Sequence, residues 1–209
     1  RMAGFWHKVI SLRQCQGFMM HNATETIEID LTEARRAAEE VRDLLHKLRS
    51  QYDLSKFEYA PGTRIAPGAI PHSHPVLTLN TMLRTEGALL ATYLHEQMHW
   101  YVTWYSYARS QDWSAIRTEL EARYPAIPIA FPEGAHTPAS SYLHIIVNWL
   151  EIEATSLFLG REAANAIAAK NFVYSGIYRI VLADWDHLAI LYSKHGLTPI
   201  RAATALTLQ

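Results

Sequence analysis

Two imidazoles and a carboxylate stand close together in the run YLHEQMHWYV, residues 93–102. His95 and His99 are four positions apart, which on a helix puts both rings on one face, where they can share a metal ion. Glu96 adjoins His95 and can reach a water at that ion rather than the ion itself. Zinc lowers the pKa of such a water toward about 7, and a nearby carboxylate can take its proton. The pattern points to hydrolysis with Glu96 as general base. A catalytic zinc takes three protein ligands and leaves one position open, so a third ligand must come from elsewhere in the chain.

The best source is SSYLHIIVNWLEIEATSLFLG, residues 140–160. His144, Asn148, Glu151 and Thr155 fall at i, i+4, i+7 and i+11, a single polar stripe on an otherwise apolar helix. Glu153 falls on the other side. HEQMH followed some fifty residues later by EIEAT resembles the glutamate-zincins, especially the CAAX-prenyl-protease and heat-shock membrane-protease type, whose second helix carries Glu-x-x-Ala-Asp. Glu151 and Ala154 occupy the matching places. The resemblance implies Glu151 as the third zinc ligand, with His144 as the alternative ligand or as a substrate-binding group. Thr155 stands where that family has Asp, so a carboxylate orienting a histidine must come from elsewhere. The chain lacks that family's apolar spans, and its substrates do not carry over. The metzincin continuation, a Gly and a third His just downstream, is replaced here by WYVTWYSYARS.

The elements that must position these groups can be read from periodicity and punctuation. TETIEI (24–29) reads as a short strand. Asp30 or Thr32 caps an amphipathic helix over LTEARRAAEEVRDLLHKLRSQY, whose apolar residues recur at helical spacing from Leu31 to Leu48. Prolines and glycines from Pro61 to Pro75 predict a loop with one short strand at KFEYA (56–60). PVLTLNT (75–81) reads as an edge strand able to pair with an extended substrate, as in zincins. From Arg84 to Ser110 there is no proline and one glycine, which predicts a long helix carrying the motif. A helix over 112–124 follows, capped by Asp112. Further helices are predicted over 139–159, 161–171 and 176–194, with Gly160 and Gly196 as stops. The expected fold is α+β and mainly α, a small sheet with an edge strand beside a long active-site helix, zincin-like. Residues 1–23 read as a mobile N-terminal extension, and 24–209 as a single metallohydrolase domain.

Around the proposed zinc, His136 in the loop PEGAHTP can overhang the site. YSGIYRIVLADWDHLAILY offers Tyr174, Tyr178, Arg179 and His187, of which Tyr178, Arg179 and His187 are candidates for binding substrate or steadying a developing oxyanion. Asp184 and Asp186 are candidate partners for a ligand. His72 and His74 form His-x-His in a proline-flanked loop, where exposure is the simpler account. A net charge of −1 gives no footprint for a polyanion, so nucleic acid is not expected as a partner. A lone cysteine, Cys15, excludes an intrachain disulfide and a Cys-rich zinc cluster, and it argues for a reducing, cytoplasmic setting. No nucleophile elbow or P-loop is present. The expectation is a soluble zinc metallopeptidase acting on peptide or protein substrates. Two alternatives remain: an inactive zincin-like metal-binding module, and a non-peptidase enzyme with iron or manganese on two histidines and a carboxylate.

Overall fold

The protein is described from a computed structural model, which covers residues 26–29, 35–108 and 113–206. The extension over 1–23 and the caps expected at Asp30, Thr32 and Asp112 lie outside these residues. The expected α+β, mainly α architecture is present. Three short strands, β1 (Thr26–Ile29), β2 (Gly62–Ile65) and β3 (Leu77–Leu79), form a parallel sheet in the order β1-β2-β3. Helix α1 (Arg35–Gln51) connects β1 to β2, as a parallel pair requires, and buries Ala38, Val41, Leu45 and Leu48. These residues are spaced three and four apart and form the one apolar stripe of an otherwise charged helix.

KFEYA does not form a strand. Leu54–Phe57 make a 3₁₀ turn that buries Leu54 and Phe57, and the strand begins only at Gly62, after Pro61. A proline cannot donate to a ladder, so pairing starts beyond it. The edge strand forms as expected at Leu77–Leu79, with all three residues buried. Its outer edge is already occupied at Thr78, which exchanges both backbone hydrogen bonds with His72 at 3.1 and 2.8 Å. At that position no donor or acceptor is left for an added substrate strand.

The long helix α2 (Glu86–Ala108) is buried on nearly every side, with fourteen buried residues. It is therefore apolar all round rather than amphipathic, as a central helix should be. Gly87 gives it room at one end: a Cβ there would lie 3.0 Å from the Ile167 side chain. The aromatic run after the motif has a structural use. Tyr101 and Tyr105 donate to the carbonyls of Leu197 and His195, both at 2.7 Å, and so bind the C-terminal segment to α2.

Helix α3 (Ser114–Arg123) is followed by a loop and then α4 (Pro138–Leu159), which packs along α2 more extensively than any other element. The start of α4 is fixed by Thr137, whose hydroxyl accepts from Ser140 N at 3.1 Å, and by Pro138 in the first turn. Gly160, at φ 82°, ends it and leads into α5 (Arg161–Lys170). The helix expected over 176–194 is two, α6 (Ser175–Ala183) and α7 (Trp185–Lys194), broken at Asp184. The Asp184 carboxylate takes hydrogen bonds from Arg123 and Tyr124 at the end of α3, and this tether accompanies the break. Among the described residues no helix is long and apolar enough to cross a membrane.

Candidate metal centre

The buried contact between α2 and α4 brings three imidazoles together. His95, His99 and His144 each offer one nitrogen, and these nitrogens all lie within 4.8 Å of one another, a group that could hold a metal ion. His95 Nε2 and His99 Nε2 are 3.3 Å apart. A tetrahedral ion with Zn–N bonds of about 2.0–2.1 Å spaces its ligands by about 3.3 Å, so this pair is already set at the separation zinc requires. His95 and His144 are buried, while His99 is half-buried and marks the side on which the group opens.

The remaining ring nitrogens fix the tautomers. His144 Nδ1 lies 2.7 Å from the Ser140 carbonyl, which can only accept, so Nδ1 carries the proton and Nε2 keeps its lone pair. His95 Nδ1 lies 3.0 Å from Glu151 Oε2, with the same consequence. The Glu151 side chain is 3% exposed. The same Oε2 accepts from Tyr178 Oη at 2.5 Å, and Tyr178 Oη accepts from Asn171 Nδ2 at 3.2 Å. A chain of hydrogen bonds thus runs from Asn171 at the end of α5, through Tyr178 on α6, to Glu151 and His95.

In this geometry the two candidates for third ligand take different places. His144, the alternative, is the third member of the group. Glu151 engages the opposite ring nitrogen of His95, the place of a carboxylate that orients a ligand and raises its basicity. No carboxylate stands at Thr155, and the one in contact with His95 is that of Glu151. Thr155 Oγ1 and both polar atoms of the Asn148 side chain are buried without a hydrogen-bond partner among the described residues.

The environment lowers two of the three imidazoles and raises the third. Burial pushes His99 well below the ordinary imidazole range, and the neighbouring charges of His95, His144 and His74 push the same way. His144 is pushed down to about 3 by burial, with His95 adding to the effect. Burial also acts downward on His95, but the hydrogen bond it donates to Glu151 and the charges of Glu96 and Glu151 outweigh it and raise the group. Glu96 is buried beside the group, and burial lifts its carboxyl to about 7, opposed by His95 and assisted by Glu151. A carboxylate near 7 is matched to taking and returning protons at neutral pH.

Tyr174 roofs the cluster. Its ring centroid is 4.0 Å from that of His144 and 6.1 Å from that of His95, nearly parallel to the latter. Burial, together with the charge of Glu96, raises its hydroxyl to about 12. The residue enters α6 in the left-handed conformation, at φ 61°. Periodicity gave no reason to prefer Tyr174 over Tyr178, because its position depends on the turn before α6 rather than on a helix face.

The other sequence candidates lie elsewhere. Arg179 is exposed and pairs with Glu133 across the loop that precedes α4. His187 and Asp186 are exposed on α7, and Asp184 is bound to Arg123 and Tyr124. His136 is exposed at φ 67°, stacked loosely on Phe131. His72 is exposed, with Nδ1 donating to the Ile70 carbonyl. His74 differs: it stacks on Trp100 of α2, with centroids 4.2 Å apart, and lines the same cavity as His99.

No protein-family profile, curated protein or solved structure matches the chain. The class of the site therefore rests on its own geometry: a buried three-histidine group able to hold a metal, with an adjoining carboxylate, carried by two packed helices of a mainly helical α+β domain.

Proposed function

We propose that the protein is a zinc-dependent hydrolase of zincin type acting on peptide or related amide bonds, with His95, His99 and His144 as ligands and Glu96 as general base. The observation that carries this is the 3.3 Å separation of two Nε2 atoms within a three-imidazole group that has a buried carboxylate beside it. When bound, zinc supplies Lewis acidity that polarises a carbonyl and acidifies water. Glu96 accepts the proton of the attacking water and returns it to the departing amine. Glu151, backed by Tyr178, holds His95 in the tautomer that leaves Nε2 free. Tyr174 covers the group and limits access of bulk water from that side.

The two-histidine, one-carboxylate alternative draws less support from this arrangement, because the carboxylate stands on Nδ1 of a ligand. A purely structural metal site gives no reason for a buried carboxyl at Glu96, next to His95. The test is metal analysis of purified wild type and Glu96→Gln, paired with hydrolysis of a mixed peptide library. The proposal expects about one zinc in both proteins and cleavage by wild type alone. Zinc in both with cleavage by neither makes the protein a binding module.

A further inference from the structure

The loop between α3 and α4 contains PAIPIAFP, residues 125–132, eight positions without a polar side chain. Much of it lies at the surface, with Ile129 43% and Phe131 55% exposed. The turn between α5 and α6 meets this loop and adds Phe172 at 65% and Val173 at 39%. The Phe131 and Phe172 rings stand edge to face with centroids 5.7 Å apart, so the two turns present one continuous apolar tip. Single exposed apolar residues are ordinary, but large ones grouped on adjoining loops mark a surface that meets a membrane or another molecule.

The tip is held rigidly. Ser175 N and Ile177 N, at the start of α6, donate to the carbonyls of Pro132 and Glu133, both at 3.2 Å. Gly134 and Gly176 allow the close approach of the two turns. A Cβ on Gly134 would lie 2.2 Å from the Pro128 carbonyl oxygen, and one on Gly176 would lie 2.9 Å from both Glu133 Cβ and Pro128 Cγ. Side chains fixed in this way meet a partner with little further cost of ordering.

The chemistry of the tip selects its occupant. Entry of a loop into lipid is limited by its backbone polar groups, which find no water there. Pro125, Pro128 and Pro132 have no N–H to strand. The carbonyls of Tyr124, Ile129 and Ala130 accept from Tyr142 Oη, His136 N and Gly134 N at 2.8, 2.7 and 2.7 Å. The rim is complementary to an anionic surface: Glu133 is paired with Arg179, while Lys170, two positions before Phe172, is exposed and makes no ion pair among the described residues. A protein partner is fixed by hydrogen bonds as well as by apolar area, and PAIPIAFP offers no side chain to make one.

We propose that this tip docks the protein on a phospholipid surface bearing anionic headgroups, with Phe131 and Phe172 entering the interface and Lys170 at the headgroups. Tyr174, next to Val173, covers His144, so docking sets the histidine group close to the lipid. The proposal is independent of the hydrolase reading, because none of the docking side chains belongs to the metal centre.

The experiment sediments the purified full chain with vesicles of phosphatidylcholine containing phosphatidylserine as the minor lipid, and with vesicles of phosphatidylcholine alone. Wild type should bind the mixed vesicles, and the neutral ones about fivefold more weakly, the effect of one cation near an anionic surface. Lys170→Gln should remove most of that difference and leave binding to the neutral vesicles unchanged. Phe131→Ser and Phe172→Ser should each weaken binding to both vesicles by about tenfold or more, with an unchanged circular dichroism spectrum. Ile190→Ser, which removes an apolar residue of α7 that is 70% exposed, should bind as wild type does. No binding by wild type, or undiminished binding in the two phenylalanine variants, would overturn the proposal. A dimer in solution that Phe172→Ser dissociates, without vesicle binding, would give the tip to a second copy of the chain and overturn it as well. Vesicle binding is read without any substrate, so docking and hydrolysis can fail separately.

Discussion

Replacing Glu151 with glutamine separates an orienting carboxylate from a metal ligand. The substitution preserves shape but removes the charge from a group that receives hydrogen bonds from His95 Nδ1 at 3.0 Å and Tyr178 Oη at 2.5 Å. With the side chain 3% exposed, water cannot replace what is lost. A hydrogen bond to a charged partner contributes about 1.5–3 kcal/mol and a neutral one about 0.5–1.5, so the change should cost about 1–2 kcal/mol of zinc binding. Loss of the partner of a ligating histidine generally lowers metal affinity by about 10–100-fold, which agrees in scale. Competition with a chromophoric chelator measures it. Glu151→Gln should still bind one zinc, about tenfold or more weakly, whereas His144→Ala should lose far more. Complete loss of zinc in Glu151→Gln with full retention in His144→Ala would refute the reasoning and return Glu151 to the ligand set.

Gln97, inside the motif, is expected to matter for folding and not for chemistry. Its Oε1 accepts from the backbone amides of Tyr59 and Ala60, both at 2.8 Å, so Gln97→Leu strands two buried donors at about 1–3 kcal/mol each. Denaturant titration should show a loss of about 2–5 kcal/mol, with the zinc content of the folded protein unchanged; a loss below about 0.5 kcal/mol would contradict the assignment. Alkaline pH should unfold the protein. Burial holds the hydroxyls of Tyr59, Tyr93 and Tyr192 well above the ordinary phenol range, with smaller upward contributions from Tyr101, Glu58 and Tyr124 respectively. A raised folded-state pKa gives stability that is present below the unfolded value of about 10 and lost as pH rises beyond it. Each tyrosine then removes about 1.4 kcal/mol per pH unit, so stability should fall steeply above about pH 10, with tyrosinate absorbance appearing together with loss of helix. Tyrosinate formation in a fully folded protein would contradict it.

What could be read from the sequence follows from which interactions are local. The stripe of α1 and the polar stripe of α4 repeat at helical spacing, so their buried faces were visible without coordinates. The pairing of His95 with His99 is equally local. The choice between His144 and Glu151 is not: they stand seven residues apart on one face, and only the offset between α2 and α4 decides which reaches the group. His74 meets the motif helix through a ring stacked on Trp100, twenty-six positions away, and no periodicity records that contact. Tyr174 depends on one left-handed turn. The strand displaced from KFEYA to Gly62–Ile65 and the break at Asp184 have similar causes, the first a proline that delays pairing and the second a carboxylate tethered to another helix.

The most direct test of the three-histidine zinc centre is metal-edge X-ray absorption on the purified, unsupplemented protein. The account predicts about one zinc per chain, in a first shell of three imidazole nitrogens and one further light atom at about 2.0–2.1 Å, with no sulfur. Absence of bound zinc, or a shell of two imidazoles and a carboxylate, would contradict it.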